Sequence, residues 1–221
     1  MILNKKKILF IGNLIISKYI LETLIKNKRI KVCGVITTKN KFNFDYFNLT
    51  NIAKKNKIPL HSWSKDNKKN YKWIKKIDPD WIFVVGWSYL IRGDILKKYK
   101  NKIIGYHPSD LPKNRGRHPL IWSKFLNLYK LGSSFFIINK GIDDGKIISK
   151  KYFYNKKDLS MKNLYFKMIK IAQKQILDVV NFIFSNKKKF IKIKSKTGNI
   201  WRKRHYVDGQ IDWRMSSQIN F

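Results

Sequence analysis

The stretch "KKILFIGNLIISKYILETLIKNK", residues 6–28, changes character at its glycine. Residues 6–12 form a short apolar run ended by Gly12, the pattern of a buried strand. Beyond it, Tyr19, Ile20, Leu24 and Ile25 recur at helical spacing, and Ser17 is the expected N-cap. The same stretch could pass for a secretory leader, since lysines precede an apolar segment. Gly12 and Asn13 interrupt that segment, however, and no small-residue cleavage site follows, so a first buried strand is the better reading.

The alternation repeats downstream. "IKVCGVIT" (30–37) is a second strand; a polar loop, "TKNKFNF", leads to a helical "YFNLTNIAKKNK" (46–57) and a short strand "IPLHSW" (58–63). "KNYKWIKKIDP" is a helix that stops at Asp78-Pro79. "DWIFVVGW" (80–87) and "NKIIGYH" (101–107) are strands around a helix "SYLIRGDILKKYK" (88–100). "PLIWSKFLNLYK" (119–130) places Ile121, Trp122, Phe125 and Leu128 on one helical face. "GSSFFIINKGIDDGKIISKKYFYN" (132–155) reads as two strands around a tight glycine turn, and 161–189 as a long amphipathic helix. Strands alternating with helices predict an α/β fold, a Rossmann-like, mostly parallel sheet with flanking helices, plus a short C-terminal helix and tail. The strands are apolar throughout, as expected when both faces are covered. Residues 1–186 are expected to form the main domain and 187–221 a short tail or hairpin.

Composition narrows the function. An apolar fraction of 43% and an aromatic fraction of 14% suffice for a sizeable core. The one cysteine, Cys33, excludes an internal disulfide framework and fits a reducing, cytoplasmic location. No window holds the roughly 18 continuous apolar residues of a membrane span. The net charge of +36 invites a nucleic-acid partner. Yet arginine stands only at 29, 92, 115, 117, 202, 204 and 214, and alanine only at 53 and 172, while Lys, Asn, Ile, Phe and Tyr abound. These are residues of AT-rich codons, and the arginine that bidentate phosphate contacts favour is scarce. A nucleic-acid partner is therefore not expected, although anionic small molecules would be attracted.

In open α/β sheets, ligands sit at the carboxyl ends of strands. Three turn-rich segments fall there: "GNLIIS", "VVGWSYLI" and "GYHPSDLPKNRGRHPL" (105–120). His107 ends a strand and precedes Pro108, which holds its backbone extended. Imidazole suits proton transfer near neutrality, but a turn histidine that satisfies backbone groups fits the same position. In "GIDDGKI", Asp143 or Asp144 could orient that imidazole, or the segment could simply be an Asp-Gly hairpin turn. His61 and His205 fit structural roles. No spacing of histidines, acids and thiols suggests a metal site.

"HPSDLPKNRGRHPLIW" followed by "GIDDGKI" resembles the folate-dependent formyltransferases, across roughly residues 6–155. Their signature is Asn-x-His, a Ser-Leu-Leu-Pro-like turn, Arg-Gly, and later an aspartate before glycine. The "YVDGQIDW" tail is similar to that of the sugar N-formyltransferases. The resemblance implies a catalytic role for His107 and a supporting one for Asp143. It implies that Val85, Gly86, Trp87, Tyr89, Leu90 and Ile91, with Asn139 and Ile142 opposite, hold the pterin of N10-formyltetrahydrofolate. Asn13, Ser109, Arg115, Arg117 and His118 become candidates for acceptor binding. It further implies attack of a neutral amine on the formyl carbon, with proton transfer by His107 and Asp143 and no covalent enzyme intermediate.

One position departs from the family pattern. Gly105 stands where an asparagine should donate to the oxyanion, a loss worth on the order of 10²–10³ in rate for one such donor. Asn114, His118 or a backbone N–H are the candidate replacements, and an impaired relative is the alternative. "RGRHPLIW" and "DGQIDW" favour a nucleotide-linked amino sugar as acceptor. Methionyl-tRNA or another small amine are the alternatives. Residues 155–221 are too few for the β-barrel that methionyl-tRNA formyltransferases append, and "GNLIIS" lacks the phosphate loop of the glycinamide ribonucleotide enzymes. The tail could mediate a homodimer. A basic nucleic-acid-binding domain without enzymatic activity would leave the 105–120 loop unexplained.

Overall fold

β1 (Lys6–Ile11) is central because both its faces are apolar. Ile8 and Phe10 pack into one core while Leu9 and Ile11 pack into another, on the far side of the sheet. The computed structural model describes residues 5–38, 45–156, 159–193, 198–210 and 213–214. In chain order the elements are β1, α1 (Ile15–Lys26), β2 (Ile30–Thr37), α2 (Thr50–Lys55), β3 (Leu60–Ser62), α3 (Asn67–Ile77), β4 (Trp81–Val84), α4 (Gly93–Lys98) and β5 (Ile103–His107). Then follow β6 (Arg115–Gly116), α5 (Pro119–Phe125), β7 (Lys130–Ile137), β8 (Ile147–Tyr154), α6 (Met161–Phe184) and β9 (Ile200–Trp201).

Seven strands make one sheet in the order β3-β2-β1-β4-β5-β7-β8, and β6 pairs with β9 apart from it. The pairs from β3 to β5 are parallel; β5–β7 and β7–β8 are antiparallel. α1 and α6 cover one face, with Ile20, Leu24, Leu164, Met168 and Ile176 in that core. α3 and α4 cover the other, through Ile74 and Ile95. The expected α/β, mostly parallel architecture is the one observed. Among the described residues no helix is long and apolar enough to cross a membrane.

The chain order reverses between β1 and β4, opening a crevice at their carboxyl ends. Gly86 turns there at φ 61, a conformation glycine adopts without strain. Ser17 is not the N-cap: α1 starts at Ile15, and Ser17 lies in its first turn. Its hydroxyl donates to Val85 O at 2.7 Å and accepts from Leu14 N at 3.0 Å, so it ties α1 to the end of β4. Two further expectations are corrected. The helix expected over 88–100 shrinks to α4, because extended Arg92 (φ −138) and left-handed Gly93 (φ 61) interrupt it. The tight turn between β7 and β8 is a longer loop over 138–146, closed by Ile137 N donating to Lys146 O. The polar loop expected over 38–44 lies outside the described residues beyond Thr38, as do Ile211 and Asp212 of the tail.

A buried polar clamp joins α6 to the antiparallel half of the sheet. Gln175 Nε2 donates to Ser133 O at 3.1 Å and Ser149 Oγ at 3.0 Å, while its Oε1 accepts from Ser133 Oγ at 2.6 Å. Removing the amide strands several buried partners at once. Gln175→Ala is expected to lower stability by about 2–4 kcal/mol, read as a shift in the urea midpoint.

Candidate active site

The loop after β5 is fastened at both ends. On one side, Ser134 Oγ of β7 donates to Ser109 O at 2.7 Å. Lys150 Nζ of β8 donates to Asp110 Oδ1 and to Leu111 O, each at 2.7 Å. On the other side, β6 pairs with β9, and Asn114 N donates to Asn199 Oδ1 at 2.9 Å. Arg117 Nη1 donates to Ser88 O at 2.9 Å, joining this loop to the one after β4. Asn114 (φ 60) and His118 (φ 53) are left-handed, where non-glycine residues carry strain.

His107 is 6% exposed at the end of β5. Its Nε2 lies 3.0 Å from Asn114 O. A carbonyl only accepts, so Nε2 carries the hydrogen and donates. That leaves the Nδ1 edge to gain or lose a proton. Nδ1 stands 3.6 Å from Asp143 Oδ2, and the same oxygen accepts from Gly116 N at 3.0 Å. Asp143, at φ 48 in the 138–146 loop, is thus the acid that meets the histidine. The structure places no such contact on Asp144.

Two cavities meet at His107. One, of about 500 Å³, is lined by Asp45, Tyr106, His118, Met161, Tyr165 and Met168 among others. The other, of about 430 Å³, is lined by Tyr89, Leu90, Ile91, Asn139, Ile142 and Asp143 among others. Trp87, Ser88, Tyr106, His107, Gly116 and Arg117 line both. The indole Nε1 of Trp87 is buried without a hydrogen-bond partner among the described residues, a donor available to a ligand. Burial pushes His118 below its ordinary pKa, with Arg117, Lys203 and Arg204 adding repulsion. Burial raises the Tyr165 hydroxyl above its usual range, and nearby Asp45 raises it further.

Several expected site residues stand elsewhere. Of the proposed pterin residues, Trp87, Tyr89, Leu90, Ile91, Asn139 and Ile142 line the second cavity, while Gly86 lines the first. Val85 is fully buried beneath, its carbonyl taken by Ser17. Arg117 and His118 line the first cavity. Asn13, Ser109 and Arg115 line neither. Asn13 is buried behind the crevice, its Oδ1 without a partner among the described residues. Ser109 Oγ donates to Lys113 O at 3.1 Å, and Arg115 Nη2 donates to Gly198 O at 3.0 Å, so both brace the loop. Asp45, Tyr165 and the tail residues Ile200–Lys203, which line one cavity or the other, carry no motif in sequence.

Gly105 lines the second cavity, two residues before His107. A Cβ there would lie 2.9 Å from Ile138 Cγ1 and 3.0 Å from Phe136 Cε1. The space an asparagine would need is filled by those two side chains.

Residues 6–180 match the family described as Formyl transferase. The methionyl-tRNA formyltransferase of Finegoldia magna is 27% identical over 150 residues, covering 66% of this chain and 47% of that protein. The bifunctional polymyxin resistance protein ArnA of Wigglesworthia glossinidia brevipalpis is 30% identical over 193 residues, 85% of this chain and 29% of its own length. The chain thus spans about half, or less, of these relatives. Among solved structures, WlaRD, a sugar 3N-formyl transferase crystallised with dTDP and 5-N-formyl-THF, superposes with a TM-score of 0.72 at 21% identity. The superposition covers 97% of this chain and 76% of that one, and shows a shared fold.

Gly105→Asn is expected to destabilise the fold by about 1–3 kcal/mol through overpacking, read as a lowered melting temperature. Pairing it with Ile138→Ala should recover part of that loss, since the two positions share the same space.

Proposed function

The chain belongs to the formyl transferase family, and from that premise we propose that it transfers a formyl group from N10-formyltetrahydrofolate to the amine of a nucleotide-linked amino sugar. The observation that carries this reading is the common wall of the two cavities, with His107 on it and Asp143 beside it. A two-substrate transfer needs a donor and an acceptor brought together at one proton-handling group.

The donor side is the 430 Å³ cavity, whose residues fit a flat heterocycle. Leu90, Ile91 and Ile142 offer apolar walls, and the unpartnered Trp87 Nε1 offers a donor. The folate supplies an electrophilic formyl carbon there. The acceptor side is the 500 Å³ cavity, where Arg117 suits a phosphate-bearing molecule and the neutral imidazole of His118 can donate to it. As the new C–N bond forms, the attacking nitrogen must shed a proton, and the departing folate nitrogen must gain one. The Nδ1 edge of His107 handles that proton, and Asp143 stabilises the ring while it is charged. Trp87 and Arg117 close the junction between the two cavities.

The sugar acceptor is favoured by the "RGRHPLIW" loop, with both Arg117 and His118 on the acceptor cavity, and by the dTDP-bound neighbour. Methionyl-tRNA is the second reading, favoured by the methionyl-tRNA formyltransferase relatives. Supplying each acceptor with formyl-folate and following release of tetrahydrofolate separates them. We further propose a cytoplasmic location, residues 1–186 as the main domain and 187–221 as its tail, and association as a homodimer.

His107→Ala is expected to lower kcat by about 10²–10⁴-fold while leaving formyl-folate affinity within about threefold. Unchanged turnover would remove His107 from the mechanism.

A further inference from the structure

Asp45 is the one buried acid among the described residues. It is 9% exposed and lies within 4 Å of no lysine or arginine nitrogen among the described residues. Its side chain instead accepts a 2.8 Å hydrogen bond from Tyr165 OH of α6. A buried carboxylate without a lysine or arginine partner is costly, and one that lines a cavity is placed to take a cationic ligand.

Its position says which ligand. Asp45 lines the 500 Å³ cavity among largely apolar neighbours, including Ile16, Leu120, Met161 and Met168. The same cavity carries Arg117 and His118, with Lys203 and Arg204 close enough to His118 to disfavour its charged form. The cavity therefore has an acidic locus and a basic one. Burial raises Asp45 from its ordinary pKa, against the pull of the Tyr165 hydrogen bond and of nearby His118.

We propose that Asp45, held by Tyr165, seats the acceptor's amine as it arrives as an ammonium and takes one proton from it, so that the neutral amine attacks the formyl carbon, and that the acceptor carries its anionic phosphates toward Arg117 and His118. This rests on the acceptor reading given above and makes Asp45 a specificity-determining residue. A neutral hydroxyl in the amine's place would leave the carboxylate uncompensated. The seat therefore selects amino sugars over their hydroxyl counterparts at the binding step.

The test is calorimetric titration of the full chain at pH 7. The probes are a dTDP-linked 3-amino sugar and the same compound with a hydroxyl at that carbon. The wild type is expected to bind the amine about tenfold or more tightly, the scale of a charge-assisted hydrogen bond. Asp45→Asn should bring the two affinities within about threefold while formyl-folate still binds. Equal affinities in the wild type, or an amine preference that survives Asp45→Asn, overturn the proposal; the wild-type comparison decides even if the variant does not fold. Failure of both sugar nucleotides to bind removes the acceptor reading and this seat together. Preferential binding of the amine without its formylation leaves the seat standing and overturns the proposed reaction.

Discussion

The hydrogen bond from His107 Nε2 to Asn114 O, at 3.0 Å, sets the terms for the rest of the site. It fixes which ring nitrogen holds a hydrogen, and so which edge can exchange one. That edge faces Asp143 Oδ2, which Gly116 N also engages. Asn114 and Gly116 belong to the same short segment, so one piece of backbone orients both the histidine and its acid. The segment is in turn held by the tail: Asn199 accepts from Asn114 N, and β9 pairs with β6. The tail thus supports the geometry of His107 and Asp143, and Ile200–Lys203 also wall the second cavity.

Much of the architecture was legible because burial on both faces leaves an unambiguous mark. The runs at β1, β2, β4 and β5 read as strands for the reason they are strands: alternate residues feed two separate cores. His107 and Asp143 were legible through motif spacing, which tracks a backbone path rather than a fold. Segments failed where apolar residues line a cavity instead of a core. Tyr89 and Leu90 look helical in sequence, but they stay exposed on a loop, where they line a cavity. The 138–146 loop looked like a tight turn because its glycines and aspartates are turn residues, although they shape a longer arch.

The 500 Å³ cavity was the least legible. Asp45 and Tyr165 lie far apart in the chain and meet only because α6 packs along α1. No local pattern encodes such a contact. The same holds for Ser109 and Arg115, whose motif positions suggested ligand binding. Their hydrogen bonds go to Lys113 O and Gly198 O, so they hold the loop in shape instead.

Gly105 shows how packing and chemistry constrain each other at a strand end. β5 pairs antiparallel with β7 there, opposite Phe136, and Ile138 folds over the same point. Restoring a side-chain donor at 105 therefore requires moving two apolar residues that also shape the second cavity. Gly116 N, a backbone donor on the loop after β5, is already engaged by Asp143. Of the groups lining the junction of the two cavities, Trp87 Nε1 is buried and unpartnered among the described residues. The unpartnered donor at the junction therefore lies on the loop after β4, which Arg117 ties to the loop after β5, and not on β5 itself.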